Sequence, residues 1–282
     1  MLGVKEFISL ELWRSSAGEL LASAVLTFML DAVIIATTET ITEMQGLILS
    51  ILVGVTFTIV FLAMAPISGA CIDPMVTVSA ALIGLISITR ALVYTVAQCL
   101  GGILGALALK SVIAAEYADA FSLCGCTVTV ISPAGVEIGL GVGKAFLMEF
   151  ICSFVVQFMC LWMAYDFRQI GEYGRVKVFT IVGIVVALVV FVSISVTGAK
   201  GYSGAAMNPA RCFGSAVVRS GHLWDGHWVF WVGPIFASVA FYLYTKIISR
   251  EHYQVKPYDH DFFNVIDLIY RGRRTSSHSQ PY

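Results

Sequence analysis

Six stretches of mostly apolar residues, at 14–38, 46–66, 88–110, 143–166, 178–199 and 227–249, each reach the length of roughly 20 residues that a helix needs to cross a bilayer. A chain with six such stretches needs lipid as its solvent. The composition agrees, because 58% hydrophobic and 12% charged residues leave too little polar surface to cover a water-soluble domain. Two more apolar stretches, at about 74–84 and 209–219, are too short to cross and are predicted to be re-entrant half-helices. The predicted fold class is an all-α membrane protein with six spans. A net charge of −1 carries no basic excess, which removes nucleic acid from the expected partners.

Charge distribution sets the expected orientation. If the first span starts inside, Lys5, Arg14, Arg90, Arg168, Arg175, Lys177, Lys246, Arg250, Lys256, Arg271, Arg273 and Arg274 all fall on one side. The positive-inside rule assigns that side, with both termini, to the cytoplasm. Glu39, Glu43, Glu116, Asp119 and Glu137 fall on the other. The first apolar stretch is too long for a cleavable leader. Three regions are expected: a cytoplasmic N-terminus at 1–13, a membrane domain at 14–249, and a polar cytoplasmic tail at 250–282. In that tail, Arg273-Arg274-Thr275-Ser276 marks Ser276 and Ser277 as candidate sites for a kinase that reads basic residues.

The membrane domain repeats itself. Ser68-Gly69-Ala70-Cys71-Ile72-Asp73-Pro74-Met75 returns as Ser203-Gly204-Ala205-Ala206-Met207-Asn208-Pro209-Ala210. Glu19 and Glu149 precede the two copies inside apolar spans, so the repeats run over about 14–112 and 143–249. With three spans in each half, the second half enters the membrane inverted.

Asp73-Pro74 and Asn208-Pro209 each join a capping side chain to a proline at the first helical position, where the missing N–H costs nothing. Both are strong helix starts. Irregular backbone at membrane depth is tolerated only where it is buried in protein or lines water, so two helices starting there imply a polar pathway.

These residues carry a resemblance. The chain is similar to the major intrinsic proteins, the aquaporin family, with Asn208-Pro209-Ala210-Arg211 matching the second family signature and Asp73-Pro74-Met75 standing at the first. Cys212 after the second signature, and the stretch from Gly221 to Trp228, resemble the plant X intrinsic proteins. The resemblance implies a passive channel with six tilted helices, two half-helices meeting at mid-membrane, and a plasma-membrane homotetramer with one pore per subunit. It also implies that Glu19 and Glu149 hold the backbone of the re-entrant loops. Arg211 becomes a selectivity-filter arginine, and counting from the signatures puts the other filter positions at Val53, Val196 and Ala205. Such an apolar filter suits glycerol, urea, hydrogen peroxide or boric acid, with modest water flux. Phe230 and Trp231 point the other way, since they resemble the aromatic pair of water-selective members. Asp73 departs from the family's asparagine, replacing an amide donor with a carboxylate that donates only if protonated.

Other readings stay open on the residues themselves. Intramembrane carboxylates suit an ion-coupled transporter, and a membrane adhesion protein would carry no flux. An enzyme is disfavoured, because no nucleophile, base and orienting group converge, and neither a cofactor nor a metal site is implied. Asp31 lies in the first span without an assigned role. Gly101 and Gly105 suit close helix packing, between subunits or within one. Cys124 and Cys126, in the long connection at 111–142, are expected as free thiols or as links to a neighbouring subunit, while most of the other cysteines lie within spans and read as small apolar residues.

Overall fold

The computed structural model describes residues 4–40, 42–114, 125–132, 134–164, 167–197 and 201–247. Cys124, Glu116, Asp119, Ser276, Ser277 and the tail from 248 onward lie outside the described residues. After a short 3-10 turn at Val4–Ile8, helix α1 (Leu10–Glu39) opens on Ser9, whose hydroxyl accepts the N–H of Leu12 at 3.2 Å. Helix α2 (Gln45–Ser68) stops at Gly69, where φ of 86° is the left-handed conformation that glycine adopts without a Cβ penalty. The half-helix α3 (Pro74–Leu82) follows. Helix α4 (Ile88–Val112) opens on Ser87, which accepts the N–H of Arg90 at 3.0 Å.

The long connection expected at 111–142 contains a hairpin, β1 (Thr129–Ile131) paired antiparallel with β2 (Glu137–Gly139). The second half repeats the order of the first: α5 (Val142–Ala164), α6 (Phe167–Ser195, broken at Gly174), the half-helix α7 (Pro209–Arg219), and α8 (Val229–Ile247) after a 3-10 turn at Gly221–Trp224. Among the described residues, six helices are long and apolar enough to cross a membrane.

The packing follows the inverted repeat. Helix α1 packs on α2 and α4, and its counterpart α5 packs on α6 and α8. Each half-helix crosses over to the last span of the other half, α3 onto α8 and α7 onto α4. Glycines permit these contacts. A Cβ at Gly101 or Gly105 would stand 2.3 Å from the carbonyl oxygens of Leu20 and Ala24 on α1, so this pair packs α4 within the chain. A Cβ at Gly102 would stand 2.3 Å from the Ala210 oxygen of α7. Between α2 and α6, Gly54 and Gly183 do the same, each Cβ meeting the other's carbonyl at 2.5–2.6 Å.

Gly102→Ala therefore pushes α7 off α4, against backbone that cannot rotate away, with an expected cost of about 1–3 kcal/mol for overpacking. Thermal unfolding of the purified protein in detergent, followed by tryptophan fluorescence, should show a lower midpoint for Gly102→Ala. Gly143→Ala, whose Cβ meets nothing within 4 Å, should melt like the native chain.

Candidate functional site

Both half-helices begin on buried backbone that is held by a carboxylate. Ile72 and Met207 occupy matching places just before the caps, with φ of 58° and 55°. That conformation is rare outside glycine and unfavourable for a β-branched residue such as Ile72. Glu19 of α1 accepts the N–H groups of Ile72 and Cys71 at 2.6 and 3.1 Å. Glu149 of α5 accepts those of Ala206 and Met207 at 2.6 and 3.0 Å. Each carboxylate is fully buried, and each satisfies two N–H groups that no helix or strand partner reaches.

The two supports differ in their surroundings. Gln98 of α4 donates to Glu19 at 2.8 Å and to Thr77 of α3 at 2.9 Å, linking the carboxylate to the half-helix it supports. Glu149 instead packs against Gly233 of α8, where a Cβ would lie 2.7 Å from the glutamate Cβ.

The caps form as their sequences dictate. Asp73 Oδ1 accepts the N–H of Met75 at 2.7 Å, and Asn208 Oδ1 accepts that of Arg211 at 3.1 Å, with Pro74 and Pro209 at the first helical positions. Asp73 and Asn208 both face one cavity of about 100 Å³ between the halves. At about 10–15 Å³ per water site, that is room for a file of several waters or one small polyol. Valines 53, 76, 156, 182, 186 and 190 make up much of its wall, with Phe57 and Phe61; Asp73, Asn208, Ser203 and Arg211 supply polar side chains.

Of the residues expected at the filter, Val53, Ala205 and Arg211 line this cavity. Val196 does not. Helix α6 ends at Ser195, and Val196 lies beyond it with 68% of its surface exposed. From α6, it is Val190 and Ile194, inside the helix, that face the cavity. Met75 and Pro74 are buried at the start of α3, and Pro209 and Ala210 at the start of α7. Phe230 is fully buried in a cluster with Cys126, Cys212 and Val229, away from the cavity wall.

Two features escaped the sequence reading. Cys126 is neither a free thiol nor a link to another subunit: it forms a disulfide with Cys212, one residue after Arg211. The segment carrying Cys126 also pairs with the second re-entrant loop, the Ser203 N–H donating to the Thr127 carbonyl at 3.1 Å and the Thr127 N–H to the Ser203 hydroxyl at 3.1 Å. Asp31 is the second feature. Arg211 donates to Asp31 Oδ1 through Nε at 3.1 Å and Nη2 at 2.8 Å, and the Ser215 hydroxyl donates to Oδ2 at 3.1 Å. An aspartate in an apolar span was the available signal, since such a charge requires a partner.

A model of the family described as Major intrinsic protein matches residues 6–244. Aquaporin PIP1-2 of Musa acuminata subsp. malaccensis is 34% identical over 200 residues, which are 70% of this chain and 64% of that protein. The same 64% of the length is spanned in Probable aquaporin PIP1-2 of Oryza sativa subsp. japonica. Aquaporin PIP1-1 of Arabidopsis thaliana is 30% identical over 256 residues, covering 87% of this chain and 82% of its own. In architecture, the X-ray structure of the aquaglyceroporin from Plasmodium falciparum is similar at a TM-score of 0.67 and 21% identity, over 84% of this chain and 96% of the other. Six spans, two inverted half-helices and a shared cavity define an integral multi-pass membrane protein. The chain belongs to the major intrinsic protein family.

The disulfide has a direct check. Peptide mapping of the unreduced, alkylated protein should recover one linked peptide pair carrying Cys126 and Cys212, which separates on reduction. Recovery of Cys126 as an alkylated monomeric peptide contradicts the assignment.

Proposed function

We propose that this protein is a passive transmembrane channel for small uncharged solutes such as glycerol, urea, hydrogen peroxide and boric acid, with modest water permeability. The observation that carries this reading is the wall of the cavity, where valines and phenylalanines surround a sparse set of polar side chains. Water entering such a lumen loses hydration that few partners replace. Glycerol lays its carbons against valine while its hydroxyls meet Arg211, Asn208 and the loop carbonyls. Phe230 and Trp231, the aromatic pair that favoured water selectivity, both stand outside the wall. In this reading the protein acts by diffusion and not as an enzyme, works as a homotetramer of the plant X type in the plasma membrane, and keeps both termini in the cytoplasm. A transporter coupled through Glu19 and Glu149 fits less well, because both carboxylates are engaged by the loop N–H groups.

Paired glycerol and water permeabilities, measured by light scattering on vesicles containing the purified chain, test the proposal. Glycerol flux should exceed that of empty vesicles without an ion gradient, and Val53→Phe with Val190→His should shift preference toward water. Rapid water flux with glycerol, urea and hydrogen peroxide excluded would leave the water-selective alternative. Solute uptake only under an ion gradient would indicate a transporter, and no flux of any kind an adhesion protein.

Asp73 yields a separate expectation. Its side chain sits at the N-terminus of α3, where an ionised carboxylate opposes the positive potential of the half-helix dipole that repels cations and a protonated one donates a single hydrogen bond. Asp73→Asn should raise glycerol permeability and lower any potassium leak in the same vesicles. Unchanged values of both would contradict this role.

A further inference from the structure

Both re-entrant loops are held by a buried glutamate at matching places, and the repeat breaks where Arg211 meets Asp31. Counted from the caps, the residue of the first half that matches Arg211 is Val76; counted from the two glutamates, the residue of the second half that matches Asp31 is Leu161. Val76 and Leu161 border one small apolar cavity together. One apolar pair has thus been replaced, at the related place, by a buried ion pair. Asp31 is fully buried and Arg211 is 8% exposed. Arg211 lines the main cavity, as do Leu30 and Ile34 on either side of Asp31, whereas Asp31 is not part of the wall.

From this we infer that Asp31 is a positioning and specificity-determining residue of the pore, a conclusion that rests on the channel reading above. Two guanidinium nitrogens donate to one carboxylate oxygen, while Ser215, one helical turn beyond Arg211, donates to the other. This draws the arginine against α1 and α7 and keeps its long side chain from crossing the lumen. The pair is neutral as a whole, so solutes are selected at this place by size and apolar fit, with hydrogen bonding to the guanidinium edge, and only weakly by charge. A buried arginine without its counter-ion is strongly unfavourable and turns toward the most hydrated space available, which here is the lumen.

The test is a double-mutant cycle on the full-length chain in vesicles, with glycerol permeability as the readout and thermal unfolding as the check on folding. Asp31→Leu should lower glycerol permeability about tenfold, the scale of coupling expected for contacting charged residues. Asp31→Leu with Arg211→Val, which copies the apolar pair of the other half, should restore flux to the native level or above. A merely structural role for Asp31 predicts the opposite, with the double variant no better than the single one. That result, or native flux in Asp31→Leu alone, overturns the inference. If Asp31→Leu does not fold, the double variant decides: a folded, glycerol-conducting protein supports the inference, and its failure overturns it. Absence of glycerol flux in the native chain would instead remove the solute-channel reading on which the inference rests.

Discussion

Two buried carboxylates make the interior of this protein possible. A chain that leaves regular structure in the middle of a bilayer exposes N–H groups that no water can satisfy. Glu19 and Glu149 accept four of them from the two re-entrant loops. Their grip also maintains left-handed backbone at Ile72 and Met207, which in turn aims Asp73 and Asn208 into the cavity. Intramembrane carboxylates often mark ion movement. Here their oxygens serve the backbone, and the lumen is left to the side chains beyond the caps.

On this frame the second half adds a set of contacts that the first half lacks. Arg211 follows its cap by one helical turn and is met by Asp31 from the opposite half. The disulfide from Cys212 to Cys126 fastens the hairpin-bearing connection to the start of α7, and Thr127 and Ser203 join the same segment to the loop. Charge pairing, a covalent link and backbone hydrogen bonds therefore converge within a few residues of one half-helix. The first half has Val76 at the equivalent place.

Much of this was legible in the sequence because it depends on local rules. Apolar length located all six spans, and the Asp-Pro and Asn-Pro caps located α3 and α7 to within about two residues at their far ends. The glutamates recur before each signature, and their role as loop supports followed from the resemblance to the major intrinsic proteins. Features that depend on distant parts of the chain were harder. Cys126 and Cys212 are 86 residues apart, and only the path of the connection over α7 brings them together. Asp31 and Arg211 are 180 residues apart, although an unmatched aspartate in one half and an unmatched arginine in the other would have suggested the pair. Val196 lies one residue past the end of α6, and counting along the chain does not show that Val190 and Ile194 are the positions of that helix facing the cavity.

The central claim is that solute passes through the cavity between the two half-helices. Two positions within one turn of α2 allow this to be tested, because Val53 lines the cavity and Val55, on the opposite face, is 49% exposed. The measurement is inhibition of glycerol flux by a small thiol-reactive reagent in Val53→Cys and Val55→Cys vesicles, each compared with the unsubstituted protein. The account predicts strong additional block in Val53→Cys and none in Val55→Cys. Equal responses at the two positions would contradict it and would place the route elsewhere.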